Sequence, residues 1–307
     1  MGGGRRENQV DQRFDQGTPE WTGEKEKEDC EAGGELLASY GPYGLWRKEE
    51  GIELRKDGEI IGAYSKVVVL DDNRALLKLD KGMLLEVEPE GLRELLTKEK
   101  SILVGLVESD GSLTRDLEGK HYYVRFGSES DELLDLFRDC MVDTYGLTPG
   151  KYQSRRRKHF FEMIKGSKEA VEDIMEYANK HGSGYWEVPA KYMDKEAARA
   201  YLKAFMGGDG SVAYYPGRGG LKVRFFSKNR EGLEGIQDLL EEHFDIASKM
   251  YPRDRQKSLE SGKNELRVCR EENMIRYITE VGSFKKSHQD AIERFNKDRE
   301  ERFGDRE

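Results

Sequence analysis

The sequence predicts an α+β protein: two related halves placed about a pseudo-twofold axis, preceded by a small β-rich module. Three observations predict it. An apolar helical run that stops at Asp-Gly-Ser occurs twice, as ILVGLVESDGS at 102–112 and YLKAFMGGDGS at 201–211. Adding 99 to a position in the first copy lands on its counterpart in the second, so that Val124, Arg125, Phe126 and Ser128 map to Val223, Arg224, Phe225 and Ser227. The same offset joins Glu132 to Glu231, Tyr145 to Phe244 and Arg156 to Arg255, before the register slips near residues 258–263. Finally, 307 residues are enough for two domains of ordinary size with a real core. A single apolar run followed by Asp-Gly would mean only a core helix ending in a turn, with glycine in the left-handed conformation. The second copy asks for more.

Taken in order, residues 1–36 hold Gly, Glu, Lys, Asp and Gln with almost no aliphatic side chain, the composition of a disordered tail. Residues 38–94 change to short β-like runs (GIELRKDGEIIGAY, KVVVL, ALLKL, MLLEVEP) broken by DDNR and DKG, which read as three to five strands. The first repeat then spans 95–190 and the second 191–300. Each opens on an amphipathic helix, from Glu99 to Ser109 and from Asp194 to Gly208, with Asp194 as N-cap. Strands follow at 121–128 and 221–227, then helices in SDELLDLFRDCMVDTYG and NREGLEGIQDLLEEHF, spaced i, i+3, i+4. Further strands near 158–164 and 264–269 and a last helix complete the order αββαββα, twice. Units of this size are too long for solenoid repeats and resemble two subunits of a symmetric dimer fused in one chain, a pseudo-dimer expected to be monomeric.

Composition narrows the function. No apolar stretch is long enough to cross a bilayer, and MGGGRRENQVDQRF has no apolar segment behind its arginines, so neither a membrane partner nor a secretory signal is expected and the location predicted is cytoplasmic. Three scattered cysteines form neither a disulfide framework nor a CxxC pair, and five scattered histidines give no zinc motif. The net charge of −9 is unevenly spread: residues 1–95 hold 14 basic against 22 acidic side chains, the remainder 38 against 39. Within the remainder the basic residues cluster. KYQSRRRK carries Lys151, Arg155, Arg156, Arg157 and Lys158, and Arg218, Lys222, Arg224, Lys228 and Arg230 follow Asp209 with no acid among them. Local clusters matter more than the total for phosphate binding, although solvated basic faces have the same composition.

The repeated run has its own chemistry. Gly105 and Ser109 lie four apart, as do Ala204 and Gly208, a small-xxx-small spacing that lets two helix backbones approach closely. Paired in that way, the helices bring Asp110 and Asp209 together at one rim. Two neighbouring carboxylates repel unless a cation lies between them, and a hard cation such as Mg²⁺ takes oxygen ligands. Such a metal supports phosphodiester cleavage. The alternative is a pair of aspartates that merely end two helices. In the strands, Lys222 and Arg224 take one face while Val223 and Phe225 take the other, and Tyr123 and Arg125 hold the equivalent places in the first copy. Sheets of that kind can lie in a groove of duplex DNA.

These residues resemble the LAGLIDADG homing endonucleases in their single-chain, two-repeat form. The nine-residue signature stands as LVGLVESDG at 103–111 and LKAFMGGDG at 202–210, and the resemblance covers about 95–300. It implies a DNA-binding saddle, dependence on Mg²⁺ with Mn²⁺ as a substitute, and cleavage of both strands of a long asymmetric double-stranded DNA site. The essential metal-binding acids fall on Asp110 and Asp209. Positions just after the first long strand fall on Ser128 and Glu129 in one copy and Ser227 and Lys228 in the other, and Glu129 departs from the family's basic or amide preference. Lysines near the end of each repeat fall on Lys286 and Lys191. Glu108 and Gly207, at the sixth signature position, receive no catalytic role. No splicing element is visible at either end, so a free-standing enzyme is expected. Two alternatives stay open: a maturase acting on intron RNA, and a catalytically silent DNA-binding regulator on the same scaffold.

Overall fold

A computed structural model describes residues 35–40, 42–48, 51–64, 67–71, 74–78, 83–88, 91–116, 121–155, 157–178, 185–217, 219–252 and 264–303. Among the described residues, the amino-terminal module holds eight strands rather than three to five. β1 (Glu35–Tyr40), β2 (Tyr43–Lys48), β3 (Gly51–Lys56) and β4 (Glu59–Tyr64) form one antiparallel sheet in sequence order. β5 (Val67–Asp71), β6 (Arg74–Lys78), β7 (Met83–Glu88) and β8 (Gly91–Leu96) form a second. The sequence undercounts them because runs of five or six residues are joined by connections too short to punctuate the pattern. β1 also begins two residues inside the stretch assigned to the tail. Cross-strand neighbours Leu45 and Leu54 in one sheet and Leu77 and Leu85 in the other meet in one small core with Tyr43, Ala75 and Val87. Met83 and Leu96 instead join the main core, which ties this module to the repeats.

The first repeat runs α1 (Lys98–Asp110), β9 (Gly111–Asp116), β10 (His121–Ser128), α2 (Asp131–Tyr145), β11 (Gly150–Gln153), β12 (Phe161–Gly166) and α3 (Lys168–Ala178). A 3-10 turn, Ala190–Tyr192, leads to the second repeat. That repeat runs α4 (Lys195–Asp209), β13 (Gly210–Tyr215), β14 (Gly220–Ser227), α5 (Arg230–Phe244), β15 (Ser248–Pro252), β16 (Asn264–Val268) and α6 (Glu271–Glu280), and α7 (Lys286–Phe303) is added at its end. The order αββαββα therefore occurs twice, and the sheets share one topology: β11-β12-β10-β9 and β13-β14-β16-β15, antiparallel throughout.

The two signature helices lie at the centre and pack on each other. Thr97 caps α1 by accepting from the Lys100 amide at 3.3 Å, and Asp194 caps α4 by accepting from the Ala197 amide at 2.7 Å. α1 is buried on every side from Lys100 to Glu108, which fits a helix enclosed by α4, α2, α3 and β10. Lys100 sits in that core because Asp173 of α3 pairs with its Nζ at 2.7 Å and the Tyr177 ring lies 4.1 Å beneath it. Tyr145 donates to the same carboxylate at 2.6 Å. The pseudo-equivalent Arg199 faces the Phe244 ring and donates to the Glu280 carbonyl at 2.7 Å, so the same pocket is filled by different chemistry in each half.

Both signature helices run straight into strands. Gly111 and Gly210 have φ of −97° and −109°, extended rather than left-handed backbone. Glycine is needed there for space. A Cβ on Gly111 would stand 2.5 Å from the Cα of Val107 and 2.9 Å from the Arg125 carbonyl.

Candidate active site and nucleic-acid interface

The helix contact is built from the four small residues that the spacing singles out. A Cβ on Gly105 would lie 2.7 Å from the Tyr201 carbonyl and 3.2 Å from the Ala204 Cβ, so α1 and α4 touch backbone to backbone there. One turn on, a Cβ on Gly208 would overlap the Ser109 side chain and stand 3.1 Å from Oδ2 of Asp110. Ser109 turns its hydroxyl back to the Leu106 carbonyl at 3.0 Å. The C-terminal ends of the two helices therefore meet, with the Asp110 carboxylate against the residue that precedes Asp209. Asp110 is exposed and Asp209 half-buried. Each helix end adds the negative end of its macrodipole, which deepens the negative potential at this rim.

Glu108, one turn inside the rim, is buried and accepts a hydrogen bond from the Tyr201 hydroxyl of the other helix. Burial, and then the Glu108 charge, raise the Tyr201 phenol well above its usual range. This acid is an interhelical brace. At the rim itself, no group of three His, Cys, Asp or Glu side chains capable of holding a metal occurs among the described residues. The two helices end in one carboxylate each, Asp110 and Asp209, which are hard oxygen ligands. That set suits Mg²⁺ or Mn²⁺, which bind through one or two carboxylates and keep other positions for water and substrate.

Strand register carries the next residues to the same end. Gly111 pairs with Phe126 and Gly210 with Phe225, so Ser128–Glu129 and Ser227–Lys228 continue past the pairing at the end nearest the two aspartates. The serines are buried in matching turns, each hydroxyl accepting the amide two residues on, Ser130 or Asn229, at 3.1 Å. Ser128 thus shapes the entry to α2 and is 7% exposed. Glu129 and Lys228 are exposed.

Lys286 opens α7, pairs with Asp290 at 2.9 Å and interacts electrostatically with Glu132 in the first turn of α2. The second repeat's closing segment therefore crosses to the first repeat. The converse crossing is made by 185–188, where Trp186 packs on Gly232, accepts from the Asn229 side chain through its carbonyl, and Val188 packs on Gly235. Lys191 goes elsewhere. Its ammonium lies over Tyr192, Tyr192 abuts Tyr177, and Tyr177 underlies Lys100 in the first turn of α1. A helix of 13 residues is about 20 Å long, so Lys191 belongs to the opposite end from Asp110. Position in the chain after one repeat misled the sequence reading; the side chain's neighbours decide.

The outward sheet faces differ between the halves. In the second, Ser211, Arg224, Arg267 and Lys249 form one cross-strand row, flanked by Lys222, Phe226, Glu265 and Tyr251 on the same face. Val223, Phe225, Leu266 and Val268 occupy the buried face. Glu265 is 6% exposed and accepts from Arg267 through Nε at 2.9 Å and Nη2 at 3.0 Å, with Arg224 Nη1 3.6 Å away. The matching row in the first half is Ser112, Arg125, Ile164 and Gly150. Its face also carries Tyr123 beside Arg125, and the acids Asp116 and Glu162. Lys151 falls on the other face by alternation, 2.7 Å from Asp131 of α2. Arg230 likewise sits in the helix layer, paired with Glu234 at 2.8 Å. Arg155 and Arg157 are exposed on the β11–β12 hairpin, which abuts Ser128 through Phe161, and Arg157 stacks on Phe160. Arg156 and Arg218 lie outside the described residues. Arg267, Lys249 and Glu265 were not anticipated. Alternation within NELRV carried the signal, but their place in the row depends on pairing across the insertion at 253–263.

Two αββαββα repeats thus pair through helices that each end in an aspartate. The model of the LAGLIDADG-like domain matches residues 196–282, which identifies the core of the second repeat as that domain and agrees with the signature resemblance. No curated protein matches the chain. Among solved structures, the chain is similar to the homing endonuclease I-DmoI in complex with DNA and Mn, at 15% identity and a TM-score of 0.47 over 61% of this chain and 97% of that one. It is also similar to the homing endonuclease I-WcaI bound to its DNA recognition sequence, at 11% and 0.45 over 64% and 87%. A third similar structure is full-length DUF199/WhiA from Thermatoga maritima, at 12% and 0.44 over 66% and 61%.

Proposed function

We propose that the chain is a site-specific endonuclease that hydrolyses a phosphodiester bond in each strand of duplex DNA with the help of a divalent cation. The observation that supports this reading is the close packing, tight enough to need glycine at 105 and 208, of the two helices that end in Asp110 and Asp209. Asp110 and Asp209 would hold the cation, which when bound polarises a phosphoryl oxygen and lowers the pKa of water. Lys222 and Lys249 draw in the phosphate backbone, and Arg224 and Arg267 lie on the same face toward the duplex. Lys228 stands at the second repeat's strand end and Lys286 beside the first turn of α2, so each half keeps one lysine toward the rim.

The test is cutting of a library of randomised duplexes in Mg²⁺ by the purified chain. Asp110→Asn and Asp209→Asn are each expected to lower cutting by roughly a hundredfold or more while DNA affinity is kept. Cutting by the double variant at the rate of the unaltered chain would remove both aspartates from the chemistry. Binding without cutting is the second reading, favoured by Glu129, an acid at the place where the second repeat has Lys228. The same assay separates the two, since a silent binder retains duplexes intact.

A further inference from the structure

We propose that the second repeat reads base identity while the first supplies mainly phosphate contact, and that Glu265 is the positioning residue that makes the difference. The inference rests on the DNA-binding reading above and assigns the two halves unequal parts in it. An acid in the middle of a basic face works against phosphate attraction. Glu265 is nevertheless nearly buried there, held by Nε and Nη2 of Arg267 and approached by Arg224. Arginine recognises guanine through a planar fork, and a fork discriminates between bases only when its direction is fixed. The two bonds to Glu265 occupy one edge of the Arg267 guanidinium and leave its Nη1–Nη2 end for a ligand. The Tyr251 ring, 4.4 Å away, limits rotation out of that plane. Arg224 is steadied in the same way by Phe226 at 5.6 Å and by the Glu265 charge.

Among the described residues, the first repeat has no such brace. Its single arginine in the row, Arg125, has Ile164 and Ser112 as cross-strand neighbours and rests on the Tyr123 ring at 5.4 Å. Three more of its basic groups, Arg155, Arg157 and Lys158, stand exposed on a hairpin. Groups held in that way suit phosphates, which are bound by charge with little directional demand.

The experiment selects duplexes from a randomised library with the full chain, without divalent cation so that no cutting intervenes. It then measures affinity for a selected duplex and for its scrambled counterpart. Glu265→Gln and Arg267→Lys are each expected to reduce the ratio of the two affinities by about tenfold, with affinity for the scrambled duplex nearly unchanged. Arg125→Lys is expected to leave the ratio as it was. A role for Glu265 in folding alone would weaken both affinities together, and Arg267→Lys, on an exposed side chain, serves if Glu265→Gln fails to fold. An unchanged ratio in both variants, or an equal loss with Arg125→Lys, overturns the inference while the DNA-binding reading stands. A parent chain that binds no duplex overturns both.

Discussion

Gly208 holds together the chemistry at residue scale. Its missing side chain leaves room for the Ser109 hydroxyl and the Asp110 carboxylate, and Gly105 does the same for the Tyr201 backbone. Gly105→Ala is expected to destabilise the chain by about 1–3 kcal/mol, the usual cost of overpacking, measured as a lower urea midpoint. A midpoint equal to the parent's would mean that the helices do not touch there. His288 offers a second test at this scale. Its Nδ1 lies 2.9 Å from the Ser283 hydroxyl, and burial, with the Lys285 charge behind it, holds the imidazole down to about 4 from 6.5. The unfolded chain takes up that proton near pH 6.5 and the folded chain only near 4. Stability is therefore complete above pH 6.5 and is lost as the pH falls toward 4, by an amount on the order of 3 kcal/mol. In His288→Leu this part of the pH dependence is expected to vanish, and an identical urea-midpoint profile in both proteins would contradict a buried neutral imidazole.

At the scale of elements, the two signature helices were legible because apolar spacing and small residues agree in both copies, with an N-cap at Asp194 in the second. Their exit was not, because Gly111 and Gly210 suggest left-handed turns and in fact relieve crowding in extended backbone. Strand alternation placed Lys222, Arg224 and Arg125 on outward faces, whereas Lys151 was grouped with its basic neighbours in KYQSRRRK rather than by face. Its pairing with Asp131, twenty residues earlier, is contained in no local pattern. The buried contact between α1 and α3 was also invisible, since Lys100 reads as an ordinary helix-surface lysine. Lys100→Met is expected to cost about 3 kcal/mol in chemical denaturation by leaving Asp173 without its cation. Adding Asp173→Asn should recover part of that loss, because the two side chains share one interaction. Additive losses would show that the pair contributes no coupling.

Taken whole, the molecule is symmetric in backbone and asymmetric in charge. The offset of 99 residues repeats the helix ends, the strand register and even the serine turns, yet one outward sheet face is strongly basic and the other is not. On the proposed function, the two halves would then meet different sequences in the target. The amino-terminal module adds acidity and two further sheets, and no described helix is long and apolar enough to cross a membrane. The central claim is that Asp110 and Asp209 together hold a divalent cation over bound DNA. Electron paramagnetic resonance of Mn²⁺ titrated into the protein–duplex complex tests it most directly. The parent complex is expected to quench the signal of free Mn²⁺ at low concentration, and the Asp110→Asn, Asp209→Asn double variant, still bound to the duplex, is expected to leave that signal free. Equal quenching by both proteins would contradict the account.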